Sequence, residues 1–150
     1  MSSSKPLDGK AAVVTGASSG IGQAIGQHLA EAGAHVYLAG RTKEPLDRTV
    51  TEIKSAGGRA TAQSFDIRED DQLAVFIDRV VQENEGLHIM VNNAGLSYPG
   101  TIADGDPEHW REMQDVNIHA LLLGCKLAIN AIRGYMCEGH IVNISSIAGR

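Results

Sequence analysis

Cysteine is scarce in this chain. Its two residues, Cys125 and Cys137, stand twelve positions apart. On one continuous helix that is about 18 Å, too far for a disulfide. This usage matches a reducing compartment, so a cytoplasmic location is expected. Basic residues are also few: 13 Lys and Arg against 18 Asp and Glu give a formal net charge of −5. No basic block is present to bind nucleic acid. No apolar run is long enough to cross a bilayer, and no membrane partner is expected. Met1 to Pro6 are polar and lack the apolar centre of a signal peptide. The six histidines include no His-x-x-x-His pair, so no metal site is expected. No linker, repeat or low-complexity tract divides the chain. With 43% apolar and 21% charged residues, residues 1–150 read as one globular domain with its own core.

What is present is an alternation of short apolar runs and amphipathic stretches. Residues 1–9 read as a tail. Ala11–Thr15 is almost wholly apolar, as suits a strand buried on both faces. A helical pattern follows from about Gly20 to Ala32, with Gly33 as its stop. His35–Ala39 is the second strand. Glu44-Pro45 opens a second helix that ends at Gly57-Gly58, and Ala60–Phe65 is a third strand. Leu73, Phe76, Ile77, Val80 and Val81 mark the third helix, and Leu87–Val91 the fourth strand. Asp106-Pro107 caps a long helix reaching about Arg133, before a fifth strand at Gly139–Ser145. Strands and helices in strict alternation predict an α/β fold: a Rossmann-type, doubly wound parallel sheet of order 3-2-1-4-5. Ligands of such sheets lie beyond the carboxyl ends of the strands where the order reverses, here between strands one and four.

Thr15-Gly16-Ala17-Ser18-Ser19-Gly20-Ile21-Gly22 sits at that point. Gly16 permits a tight turn after the strand. Gly20 and Gly22 let a pyrophosphate and the neighbouring backbone approach, and the following helix offers free N–H groups and its positive dipole end. Ser18 and Ser19 add hydroxyl donors. Beyond strand two, NAD-binding folds often carry a carboxylate for the ribose 2′-OH. Here the strand ends Ala39-Gly40, with no carboxylate before Glu44. Arg41 is either a solvated surface cation or a charge-assisted partner for a 2′-phosphate, which makes NADP the expected dinucleotide over NAD. Asp66, at the end of strand three, suits either an adenine amino group or a helix cap. Asn92-Asn93-Ala94-Gly95 at the end of strand four is either a polar turn or a wall small enough for a ribose.

Three motifs in this order, Thr-Gly-x-x-x-Gly-x-Gly, Asn-Asn-Ala-Gly and Asn-Ile-Ser-Ser, resemble the short-chain dehydrogenases/reductases, over about Lys10 to Arg150. The resemblance implies an NAD(P)-dependent oxidoreductase of alcohols or carbonyls. It assigns Gly16, Ser18, Ser19, Gly20, Ile21 and Gly22 to the phosphates and ribose, and Arg41 to the 2′-phosphate. Asp66 and Ile67 fall to adenine, and Asn93, Ala94 and Gly95 to the ribose side. It also implies two catalytic positions, Ser146 at the substrate oxygen and Asn117 holding a relay water. From the residues alone, Ser146 reads as a strand-end turn residue. Trp110, Met113, Asn117 and Ala120 share one helical face, where Asn117 is either that site or a satisfied structural amide.

The family's acid/base pair, Tyr-x-x-x-Lys, does not occur. Tyr37, Tyr98 and Tyr135 are followed four residues on by Arg41, Ile102 and Gly139. The expectation is therefore a piece of a longer enzyme, lacking its C-terminal strands, with negligible turnover alone and poor solubility along an uncovered fifth strand. Family members commonly form homo-oligomers through the long helix and a later one, so assembly is expected of a longer form. The alternative is a non-catalytic dinucleotide-binding module. A P-loop phosphotransferase is excluded by the missing Gly-Lys-Ser/Thr. A methyltransferase is disfavoured by the absent strand-two carboxylate. Substrate identity is not legible.

Overall fold

The computed structural model describes residues 5–147. Five strands form one parallel sheet in the order β3-β2-β1-β4-β5: β1 (Ala11–Thr15), β2 (His35–Gly40), β3 (Arg59–Ser64), β4 (Ile89–Asn92) and β5 (His140–Asn143). The order is the one the alternating pattern predicts. Alternate residues of a strand face opposite sides of a sheet, and β1 divides its residues between two cores. Ala11 and Val13 join Tyr37, Met90 and the apolar face of α3 (Asp70–Asn84). Ala12 and Val14 join Val36, Leu38 and Val91, covered by α1 (Gly20–Glu31) and α2 (Lys43–Ser55). Each fully buried large side chain, such as Phe76 or Leu38, contributes about 1.5–3 kcal/mol of transfer free energy.

Strand ends fall one or two residues from the sequence reading: β4 begins at Ile89 and β5 ends at Asn143, a shift within the fraying of terminal ladder bonds. Residues 5–9 are a docked segment rather than a loose tail. Leu7 N–H donates to Ala32 O at 2.9 Å, and a Cβ at Gly33 (φ +107°) would stand 2.6 Å from Asp8 Oδ1.

The predicted long helix is α4 (Pro107–Gln114), then a π-helical turn over Asp115–His119, then α5 (Ala120–Gly134). Asp106 caps it, accepting Glu108 N–H at 2.9 Å. Taken as one span, Pro107–Gly134 is long and apolar enough by length and composition to cross a membrane. The sequence reading missed that window because Asn117, His119 and Lys126 interrupt the apolar run. In the fold, α5 packs along α3 and β4 through Ala120, Gly124 and Ala128, while Ile118, Leu122 and Ile129 stay exposed. β5 is the sheet edge, with Val142 exposed.

Away from the strands' carboxyl ends, Tyr37 hydroxyl donates to Glu83 at 2.7 Å and accepts from Asn84 at 2.8 Å. His35 contacts Tyr37 at 3.2 Å and Thr61 at 3.1 Å. Burial, reinforced by the Arg59 charge, lowers His35 from its ordinary 6.5. Burial likewise lowers His88 and raises Tyr37 from 10.0 to about 12. A histidine whose folded pKa is depressed adds stability that is complete above its unfolded value and lost as pH falls. A tyrosine whose folded pKa is raised adds stability complete below its unfolded value and lost as pH rises. Urea midpoints are therefore expected to be flat between about pH 7 and 9. They should decline below about 6.5 and above about 10. His35→Gln with His88→Gln should flatten the first acid decline. An unchanged acid limb in that double variant contradicts the assignment.

Candidate active site at the carboxyl edge of the sheet

The crevice between β1 and β4 is built from one hydroxyl. Thr15, 3% exposed, donates to Val91 O at 3.4 Å and accepts from Asn93 N at 3.1 Å and Ala94 N at 3.0 Å. Asn93 Nδ2 returns two bonds, to Thr15 O at 3.0 Å and Gly16 O at 3.2 Å. The Asn93 side chain thus lashes β4 to the glycine turn. A Cβ on Gly16 (φ +65°) would meet Ala94 Cα at 2.8 Å, and one on Gly22 would lie 2.4 Å from both Asn93 Nδ2 and Gly16 O. Gly20 differs: its position is open, with nothing within 4 Å.

The start of α1 has no side-chain cap. Ser19 occupies the N-cap position without a side-chain capping bond, so the first helical N–H groups are not satisfied by it. Ile21 is 64% exposed at the same end. Ser18 Oγ is buried and has no hydrogen-bond partner among the described residues. It occupies the space beside Gly40, where a Cβ would stand 2.2 Å away.

Ser18, Gly40, Arg41, Asp66, Leu96 and Val116 line one concavity. Ser19, Ile67, Ala94 and Gly95 border it as well. A second concavity, between α1 and α2 beside Gln27 and Glu52, holds none of the predicted residues. Arg41 is exposed and pairs with no carboxylate among the described residues. Asp66 does not cap α3, which begins after Glu69. Its Oδ1 accepts Arg68 N–H at 3.0 Å, and its two oxygens accept Nε at 3.0 and 3.1 Å and Nη2 at 2.6 Å. The Arg68 guanidinium holds the Asp66 carboxyl below its usual range, with a smaller pull from Arg41.

Asn117 lies in the π-helical turn. It is exposed rather than set among apolar neighbours. Its amide clamps one residue across the crevice: Oδ1 accepts Leu96 N–H at 2.9 Å and Nδ2 donates to Leu96 O at 2.8 Å. Gly95 lies alongside, a Cβ there coming 3.4 Å from Asn117 Oδ1. Ser146 follows β5 on the same carboxyl edge and is exposed. β5 is tied to β4 by Asn92 Nδ2 donating to Asn143 Oδ1 at 2.8 Å. Among the described residues no cluster of His, Cys, Asp or Glu is arranged to hold a metal, and both cysteines are free thiols.

The sequence reading gave no role to the Thr15 hydroxyl, to the packing of Gly40 or to Arg68. Thr15 carried a signal, a hydroxyl closing a run of four buried apolar residues. Gly40 carried one only in company with Ser18, and Arg68 none.

The family model described as short chain dehydrogenase matches residues 10–150. Bovine dehydrogenase/reductase SDR family member 11 is 35% identical over 141 residues, covering 92% of this chain and 55% of that protein. An uncharacterized oxidoreductase of Methylorubrum extorquens is 40% identical over 143 residues, covering 94% and 56%. Among solved structures, a metagenomic short-chain oxidoreductase in complex with NADP superposes with TM-score 0.90 and 38% identity, covering 96% of this chain and 65% of the other. A short-chain type dehydrogenase/reductase from Mycobacterium marinum gives 0.91 and 34%, covering 95% and 58%. The chain thus spans little more than half the length of the curated relatives it matches. With the family model covering nearly all of it and the 3-2-1-4-5 sheet in place, this chain belongs to the short-chain dehydrogenase family.

Proposed function

We propose that the chain supplies the dinucleotide-binding portion of an NAD(P)-dependent oxidoreductase acting on alcohols or carbonyls, with NADP preferred. The observation that carries this is the buried, unpartnered Ser18 hydroxyl beside the exposed Arg41. A buried hydroxyl without a partner costs free energy unless something meets it. A phosphate between Ser18 and Arg41 satisfies both groups. The residues fit a dinucleotide in other respects. Gly16, Ser19, Gly20, Ile21 and Gly22 would hold the pyrophosphate and nearby ribose. Asp66 and Ile67 would hold adenine, and Asn93, Ala94 and Gly95 the ribose side. When bound, the nicotinamide takes or gives the hydride exchanged with the carbinol or carbonyl carbon.

Ser146 would hydrogen-bond the substrate oxygen, and Asn117 would order the neighbouring loop and a proton-relay water. These 150 residues contain no Tyr-x-x-x-Lys, so the chain by itself binds cofactor and turns over negligibly. That absence also favours the second reading, a dinucleotide-binding module without catalysis. Calorimetric titration of the chain with NADPH and NADH tests the binding claim. Saturable binding is expected, tighter for NADPH, and a folded chain that binds neither overturns it. Steady NADPH-dependent carbonyl reduction by the 150-residue chain would overturn the turnover claim and the module reading together.

A further inference from the structure

One guanidinium beside the cleft has a task that the dinucleotide reading leaves open. Arg68 places two bonds on each oxygen of Asp66: its backbone N–H and Nε reach Oδ1, and its Nε and Nη2 reach Oδ2. The roughly four acceptor positions of that carboxylate are all taken. The third guanidinium nitrogen, Nη1, stands 3.0 Å from Glu112 Oε1 on α4, and Glu112 Oε2 accepts the Tyr98 hydroxyl. One cation therefore compensates two carboxylates, one past the end of β3 and one on α4.

The place of this pairing points to its use. Among the described residues lining the concavity, Arg41 is the one cation and Asp66 the one carboxylate. The Asp66 carboxyl, pulled down chiefly by Arg68, also feels the Arg41 charge, so an anion held at Arg41 meets the field of Asp66 too. A phosphate monoester carries a charge of about −1.5 to −2 at neutral pH, and an uncompensated carboxylate in the same wall repels it. Without Arg68 that wall would show two such carboxylates, in a chain whose formal charge is already −5. The Arg68 side chain is 38% exposed and those of Asp66 and Glu112 are each 22% exposed. Ion pairs so exposed add little to stability, so the network is better explained by the charge it hides from the cleft.

We propose that Arg68 is a specificity-determining residue for the dinucleotide: by neutralising Asp66 it keeps the wall beside Arg41 from repelling a 2′-phosphate, and so favours NADPH over NADH. This rests on the dinucleotide reading and extends it from Arg41, which would touch the phosphate, to a residue that acts through a carboxylate. A ribose 2′-hydroxyl is neutral, so NADH gains nothing from the compensation at that position. The pyrophosphate is common to both ligands and cancels from their affinity ratio. The role belongs to the charge of Arg68 rather than to its fork, so a lysine, which keeps the charge and loses the fork, should serve.

The test measures dissociation constants of NADPH and NADH for the 150-residue chain by calorimetry. Arg68→Gln should lower the NADPH/NADH affinity ratio about tenfold, the effect of a neighbouring charge that shifts a pKa by one unit. Arg68→Lys should keep the ratio within about twofold of wild type. Adding Asp66→Asn to Arg68→Gln should bring the ratio back, because the repelling carboxylate is gone, even where both affinities fall. The loss in Arg68→Gln should also shrink at 1 M salt, where charges are screened beyond about 3 Å. A merely structural role predicts equal losses for both ligands and an unmoved ratio, which would overturn the proposal. So would a lysine variant as impaired as the glutamine one. A ratio that responds to Arg41→Ala but not to Arg68→Gln removes this inference and leaves the dinucleotide reading standing. Binding of neither ligand by wild type removes both.

Discussion

Replacing Gly22 by alanine is expected to lower the thermal midpoint by about 10 °C, the largest stability effect of any single methyl in the glycine turn. The added Cβ would lie 2.4 Å from Asn93 Nδ2 and 2.4 Å from Gly16 O. Neither neighbour is the end of a flexible chain. Gly16 O is backbone, and Asn93 Nδ2 is held by its bonds to Thr15 O and Gly16 O. Relief requires pushing α1 from the sheet or releasing the Asn93 amide. Overpacking of this kind costs about 1–3 kcal/mol, and each lost amide bond adds about 1 kcal/mol. The sum is a large share of the roughly 5–15 kcal/mol that holds a domain folded. Gly20→Ala is the internal control. It introduces the same methyl two residues away, at φ +56° with nothing within 4 Å. It should cost only about 1 kcal/mol of backbone strain while weakening NADPH binding by crowding the open position. Differential scanning calorimetry of the two variants decides the matter. Equal midpoints would mean that Gly22 does not seat α1 against β4.

How far this fold could be read from sequence depends on the reach of each signal. β1 was legible because four apolar residues in a row mark a strand covered on both faces, and the glycines after it announce a turn into a helix. The sheet order followed from strands joined by helices. Other features depended on partners remote in sequence. The sequence offers Asn93 as part of a ligand wall. That its amide also bonds Thr15 and Gly16, more than 75 residues earlier, is a pairing no local pattern encodes. The π-helical turn was invisible for the same reason. The periodicity of Trp110, Met113, Asn117 and Ala120 described a regular helix, while the structure has the Asn117 amide clamped to Leu96, 21 residues away, at the point where the helix widens. The two readings of Asp66 were left open by its local context. The capping role fails because α3 begins after Glu69, and the carboxylate bonds Arg68, two residues on.

Arg41→Ala is expected to weaken NADPH binding about 10- to 100-fold and NADH binding by less than about threefold, from the loss of a charge-assisted phosphate contact. The selectivity argument rests on three adjoining positions. Strand β2 ends in Gly40, so the strand end offers no carboxylate to the 2′-OH of an NADH ribose. Gly40 is small because the Ser18 hydroxyl fills the space a side chain would take, 2.2 Å from its Cβ position. That hydroxyl is buried and unpartnered, and Arg41 beside it pairs with no carboxylate among the described residues. Two donors without acceptors on one rim call for an anion that brings several. Gly40→Asp should act on all of this together. Its carboxylate would displace Ser18 and repel the phosphate, lowering NADPH affinity at least as far as Arg41→Ala does, while offering NADH the ribose acceptor it lacks. Joint titration of wild type and both variants with the two dinucleotides makes the comparison. An NADPH/NADH affinity ratio that Arg41→Ala leaves unchanged would refute the 2′-phosphate assignment. An unchanged ratio in Gly40→Asp would show that this rim does not choose the cofactor.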